Sequence, residues 1–254
     1  MTTSTLDEIW VRQFHQDSGA RGNLVCFPHA GGSASYFTPL SDLLRSELRV
    51  LSLQYPGRQD RLHHPMLTTI PDLAEGAYTA LEPILDEPVA FFGHSMGAMV
   101  AFEVATRMAA RRGTAPVALF VSGRRAPSRS RAGEVVHQRD DAGVVAELKA
   151  LSGTDNRLLD DPDVVRMILP ALRGDYTAVE TYRHEPGPPL TCPVVGLLGE
   201  DDDKADQDEV RAWETHTTAT FRLHMFPGGH FYLDDTANRR AVVEIITRQL
   251  AGTA

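Results

Sequence analysis

The stretch AFFGHSMGAMVAFEVA, residues 90–105, decides how this chain is read. It sets Ser95 between Gly93 and Gly97, with an apolar run before it and an apolar stretch of helical period after it. A serine on a tight strand-to-helix turn is held with its hydroxyl projecting from the end of a sheet, and the glycines leave room where side chains would clash. The amide of Met96, at the N-terminus of the following helix, points toward any negative charge that develops beside Ser95.

The rest of the chain supplies the sheet that such a turn needs. NLVCFP (23–28), RVLSLQYP (49–56), PVAFFG (88–93), VALFVSG (117–123), PVVGLLG (193–199) and FRLHMFPG (221–228) read as short strands. Several are apolar on both faces, as in a parallel sheet covered by helices on each side. Between or after them lie PLSDLLRSEL, IPDLAEGAYTALEPIL, GAMVAFEVATRMAARRG, DEVRAWETHT and RRAVVEIITRQL, all with helical period. The third ends in Arg-Arg-Gly, cations and then glycine, a stop signal. The alternation predicts a single domain over residues 1–254, a mostly parallel, doubly wound α/β sheet.

One interval breaks the rhythm. Between Gly123 and Pro193 the chain runs well beyond an ordinary crossover, through the Arg-rich GRRAPSRSRAGEVVHQR, then AGVVAELKALSG, then DPDVVRMILPALRGDYTAVETYRH. The last two predict helices, with the second kinked or split at Pro170 and Gly174. An inserted helical subdomain over 124–190 belongs above the C-terminal ends of the strands, where ligands bind, and is expected to form a lid.

Composition narrows the partners. With 42% hydrophobic residues in 254, the chain can bury one sizeable core. A net charge of −9 argues against nucleic acid or an anionic membrane, both of which need a basic face. Cys26 and Cys192 lie far apart, a pattern of buried thiols rather than of a disulfide framework or metal site. MTTSTLDEIWVRQF has no basic region followed by an apolar one, and no apolar run approaches a membrane span, so a cytoplasmic protein is expected.

A serine hydroxyl is a poor nucleophile without a base. On this kind of sheet the order is serine, acid, histidine, with the histidine on a loop after the last strands. His230 in FPGGHFYLDD has that position, and two glycines before it supply a sharp backbone path. His216 in a helical segment and His224 inside a strand suit packing or solvation, and the turn aims His94 away from Ser95. The acid falls in GEDDDKADQDE, which offers Glu200, Asp201, Asp202, Asp203, Asp206 and Asp208; spacing alone does not choose among them. A second donor for an oxyanion is the amide of Ala30 in CFPHAGGSASYF, where glycines let the backbone approach a substrate closely. These residues together imply acyl transfer through an acyl-serine.

FPHAGGSASYF, LQYPGRQDRL, GHSMGAMVAFEVA, GDYTAVETY and FPGGHFYL, in this order over almost the whole chain, resemble the type II thioesterases of polyketide and nonribosomal peptide assembly lines. The resemblance implies an α/β-hydrolase fold with a helical lid. It implies cleavage of acyl thioesters from the phosphopantetheine arm of acyl or peptidyl carrier protein domains, removing aberrant or stalled acyl groups. No metal or redox cofactor is implied, and a monomer is expected. Ser95 matches the family's nucleophile, His230 its base, and Ala30 and Met96 its oxyanion amides. Asp202, third after Gly199, matches the acid, in a loop with more acids than the family usually shows. The lid residues Leu158, Leu159, Met167, Ile168, Leu172 and Tyr176 are expected to line an acyl chamber, with Leu158, Met167 and Tyr176 foremost. Arg124, Arg125, Arg129 and Arg131 form the densest basic run, expected to dock an acidic carrier domain. A carboxylesterase or lipase, an acyltransferase, and a catalytically silent binding protein are the other readings of the same residues.

Overall fold

The computed structural model describes residues 6–16, 19–131, 133–151 and 158–251. Its strands are β1 (Val11–Arg12), β2 (Asn23–Phe27), β3 (Arg49–Leu53), β4 (Val89–His94), β5 (Ala118–Ser122), β6 (Val194–Gly199) and β7 (Phe221–Phe226). They form one sheet in the order β1-β3-β2-β4-β5-β6-β7, parallel throughout except for β1, which pairs antiparallel with β3. The six longer strands are the six apolar runs of the sequence. β1 was not anticipated: two residues carry no period, and it exists through pairing Val11 with Leu53.

Why these runs form a covered sheet is visible in their alternation. Val25, Phe27, Leu51, Leu53, Phe91, Leu119 and Val121 enter one buried cluster, while Leu24, Cys26, Val50, Phe92, Ala90 and Phe120 enter the other. The first cluster is closed by α2 (Ile70–Leu81), α3 (Met96–Arg112) and part of α5 (Pro162–Thr181), through Leu73, Ala77, Val100 and Ala178. The second is closed by α1 (Thr38–Leu44) and α7 (Thr236–Ala251), through Leu40, Leu44, Val242 and Ile246. Gly113 ends α3 in the left-handed conformation, φ 68°, directly after Arg111 and Arg112.

Successive crossovers run outward from β2 on one side and from β4 on the other, so the connection reverses between these two neighbours. The crevice at their carboxyl ends is where an open α/β sheet binds ligands. Residues 124–190, between β5 and β6, carry α4 (Asp141–Leu151) and α5, with a small apolar cluster of their own around Val136, Val144, Leu169 and Leu172. The last two residues of the segment expected to form the first of these helices, 152–153, lie outside the described residues. α6 (Gln207–Arg211) follows β6.

The expected split at Pro170 and Gly174 is corrected: α5 is one helix of 20 residues, with Pro170 inside it. Asp161 caps its start by accepting from the Asp163 amide, and Pro162 fits the first turn. Pro170 lies on the exposed side of the helix, and Gly174 is buried, where an added Cβ would meet Thr68 and Met66 at 3.5 Å and 3.6 Å. Among the described residues no helix is long and apolar enough to cross a membrane.

Candidate active site

Ser95 alone separates β4 from α3, at φ 53° and ψ −119°, a conformation that a side chain adopts only under constraint. The constraint comes from both neighbours. Its amide donates to the Ser122 carbonyl at 2.8 Å, which ties the turn to β5. A Cβ on Gly97 would stand 1.9 Å from the Phe27 carbonyl oxygen, and one on Gly93 would stand 2.4 Å from the Ala98 Cα. Strand and helix therefore approach more closely than any residue but glycine permits.

The Ser95 hydroxyl donates to His230 Nε2 at 2.9 Å, and His230 Nδ1 donates to Asp202 at 2.9 Å and 3.0 Å from its two oxygens. The Asp202 carboxylate is fully buried and also accepts from the Lys204 amide at 2.8 Å. Among the acids left open by spacing, this one alone meets the imidazole. Asp201 and Asp203 are exposed, and Asp206 caps α6 in a reciprocal arrangement with Glu209. The loop that carries His230 is pressed onto the end of β6: a Cβ on Gly199 would lie 2.3 Å from the Gly229 carbonyl oxygen. Gly228, at φ 103°, makes the bend that brings the histidine back over the sheet.

Two further histidines of this region, the buried His94 and the half-buried His29, are drawn toward the neutral form. Burial draws His94 well below the usual histidine range, and draws His29 down to about 3, with the proximity of His230 as the next cause in each. His94 does not reach Ser95; its Nδ1 pairs with the Ser122 hydroxyl at 2.9 Å, and its ring lies 5.2 Å from that of His230. His216 pairs instead with Ser128, far from the triad, and His224 sits within β7.

Neither Ala30 nor Met96 uses its amide in a hydrogen bond among the described residues, and both border the same cavity as Ser95. The loop that carries Ala30 is fixed by a pair the sequence reading missed. Gly31, at φ 73°, donates its amide to Asp175 Oδ2 at 2.7 Å, and Arg58 binds the same carboxylate with both ends of its fork, at 2.6 Å and 2.8 Å. Arg58 also donates to the Gly32 carbonyl at 3.0 Å. Both residues lie in the quoted segments LQYPGRQDRL and GDYTAVETY. The available signal was a charged residue in each of two otherwise separate segments.

A cavity of about 260 Å³ is bounded by Ala30, Ser95, Met96 and His230 on the sheet side. Leu148 and Leu151 of α4 and Val164, Ile168, Leu172 and Tyr176 of α5 close it from the other. The spacing on α5 is four residues, one stripe of a helix. Met167 is off that stripe and 55% exposed, so its expected place in an acyl chamber is corrected. Leu159 is buried but does not border the cavity, and the Leu158 side chain lies outside the described residues.

The basic run is corrected as well. Arg125 is buried against Glu134, and Arg131 is paired with Glu209. Arg124 borders the cavity, which leaves Arg129 the one of the four that is exposed and has no carboxylate partner among the described residues. No cluster of three or more His, Cys, Asp or Glu side chains among the described residues is arranged to hold a metal ion.

A family model described as "Thioesterase domain" matches residues 22–250. The chain is 51% identical to thioesterase PikA5 of Streptomyces venezuelae over 228 residues, 89% of this chain and 81% of the relative. It superposes with a TM-score of 0.89 on the type II thioesterase BorB from the borrelidin biosynthetic cluster, at 46% identity, covering 97% of this chain and all of the other. A second solved structure, the type II thioesterase YbtT from the yersiniabactin NRPS/PKS biosynthetic pathway, gives 0.80 at 32% identity over 93% and 96% of the two chains.

Proposed function

The chain belongs to the thioesterase domain family of α/β-hydrolases, and from that premise we propose that it frees stalled or aberrant acyl groups from carrier protein domains of a polyketide or nonribosomal peptide assembly line. The observation that carries this reading is the unbroken hydrogen-bonded line Ser95–His230–Asp202, buried at one end and open to an apolar cavity at the other.

In this reading Ser95 Oγ attacks the thioester carbonyl while His230 Nε2 takes its proton. Asp202 keeps the Nδ1–H tautomer in place and stabilises the imidazolium that forms. The free amides of Ala30 and Met96 receive the oxyanion. The pantetheine thiol departs with the proton from His230. Water, activated by the same nitrogen, then clears the acyl-serine as a carboxylic acid. Every proton moves through groups of this chain, and the phosphopantetheine arrives on the substrate. Segment 124–190 acts as a lid that roofs the acyl chain and excludes bulk water. Its inner stripe, Ile168, Leu172 and Tyr176, supports that role.

Hydrolysis of one acyl group presented as a carrier-bound thioester and as a matched oxygen ester tests the reading. The expected result is a kcat/KM larger by at least about tenfold for the thioester, a difference in activation of about 1.4 kcal/mol. A preference for the oxygen ester would identify an esterase on the same fold.

A further inference from the structure

The loop that carries the acid of the triad is held largely by residues of segment 124–190. The Asp202 carboxylate accepts from the Lys204 amide at 2.8 Å, beside its contacts with His230. The ammonium of the same lysine binds Glu147 of α4, and both side chains border the cavity. Lys204 thus bonds the acid with its backbone and α4 with its side chain. Two members of the arginine run reach the same loop. Arg125 donates to the Lys204 carbonyl at 3.2 Å while paired with Glu134, and Arg131 donates to the Asp203 carbonyl at 2.7 Å while paired with Glu209.

Glu147 is the buried end of this link, 8% exposed. Lys204 takes one of its oxygens and Arg139 the other, the latter at 2.9 Å. Burial raises its carboxyl, but the hydrogen bonds from Lys204 and Arg139 outweigh burial and hold it below the usual glutamate range. Lys204 also lies 3.8 Å from Asp203, an exposed carboxylate, and such a pair adds little. The start of α4 is already anchored on α5, where Arg173 donates to the Arg139 carbonyl at 2.6 Å and to Asp141 at 2.7 Å. A carboxylate that had only to seat α4 would be satisfied by Arg139. The lysine ties it in addition to the one loop whose displacement would take the acid out of line with His230.

We propose that Glu147 and Lys204 are positioning residues: α4, seated on the cavity, holds Asp202 in line with His230 through Lys204, so that the triad is complete only while the helix is in place. The inference rests on the triad of the proposed function and gives the segment that roofs the cavity a second duty. It walls the acyl chain, and it sets the acid.

The test is a cycle of variants read with a probe small enough not to depend on the acyl chamber. Wild type, Glu147→Gln, Asp202→Asn and the double variant are treated with diisopropyl fluorophosphate, and modification of Ser95 is followed by mass spectrometry. Glu147→Gln is expected to slow modification about 10- to 100-fold, the order of loss when a catalytic group moves by about an ångström. In the Asp202→Asn background it is expected to have no further effect, because a residue that acts through the acid has nothing left to act on. On an acyl thioester, kcat falls by the same order while KM moves less. Lys204→Gln leaves Glu147 paired with Arg139 and carries the same cycle should Glu147→Gln fail to fold, and Lys204→Arg restores most of the rate by keeping the charge. An equal loss in both backgrounds, or no loss in either, overturns the assignment and leaves the triad intact. If Ser95 of the wild type is not modified, the triad reading falls and the inference falls with it.

Discussion

Asp175 of α5 and Arg58, in the loop after β3, form a buried bidentate ion pair whose carboxylate also holds the Gly31 amide at 2.7 Å. The helix that roofs the cavity thus shares one carboxylate with the loop that presents the Ala30 amide. Position of the helix and shape of the Ala30 loop are coupled through it.

Asp175→Asn keeps the shape and removes the charge, leaving Arg58 buried without its partner. Breaking a buried pair in this way costs about 3–5 kcal/mol of stability, to be read from urea unfolding. If the coupling governs the oxyanion loop, kcat at a temperature where the variant is folded falls by about tenfold or more while KM moves less. A variant that is destabilised yet keeps full kcat assigns the pair a purely structural role.

Asp202 is distinguished from its neighbours by burial and by its contacts with His230. Asp202→Asn is expected to lower kcat by about 10⁴, through loss of the correct imidazole tautomer. Asp201→Asn and Asp203→Asn alter exposed groups and leave kcat within about threefold, as expected of surface substitutions within about 0.5 kcal/mol. Steady-state rates on one thioester substrate decide the matter, and a larger loss at Asp203 would move the acid.

Gly97→Ala places a methyl 1.9 Å from the Phe27 carbonyl oxygen, against backbone that cannot step aside. Overpacking of this kind costs about 1–3 kcal/mol or more and shifts Ser95 with it, so stability and activity fall together. Gly187→Ala meets nothing within 4 Å and serves as the neutral comparison in the same thermal melts.

His29 is boxed in by Tyr36 and Phe231, with ring centroids at 4.6 Å and 4.9 Å, and burial holds it at about 3 against an ordinary 6.5. The unfolded chain therefore binds this proton more readily than the native one. The stability it protects is complete above about pH 6.5 and is lost as pH falls toward 3, at ~1.4 kcal/mol per pH unit. His94, also drawn down by burial, acts in the same direction. Urea titrations between pH 6.5 and 5 are expected to show a shallower loss in His29→Gln than in wild type. Equal slopes would mean that His29 is free to charge in the native state.

Much of this molecule was legible before any coordinates, for reasons tied to particular residues. Runs such as VAFF and VVGLLG are apolar on both faces and short, which leaves them little choice but a covered strand. Ser95 and His230 sit beside glycines whose close approaches, at Gly97 and Gly199, are backbone against backbone, and such contacts show in the sequence as glycine. What stayed hidden depends on partners distant in the chain. β1 exists only because β3 offers it an edge. Arg58 and Asp175 are 117 residues apart, and neither carries a local sign of the other. The arginine run looked like a free basic surface because Glu134 and Glu209, which bind two of its members, are silent until the loops fold. Met167 was misplaced by helix phase alone: it is apolar, but α5 turns the 164–168–172–176 stripe inward.

The central claim is that Ser95 carries the acyl group between thioester and water. Rapid-quench mass spectrometry of the enzyme mixed with an isotopically labelled acyl thioester, followed by peptide mapping, tests it most directly. The expected result is label on the peptide containing Ser95 during turnover, and neither label nor turnover in Ser95→Ala. Label on another residue, or hydrolysis that persists in Ser95→Ala, would contradict it.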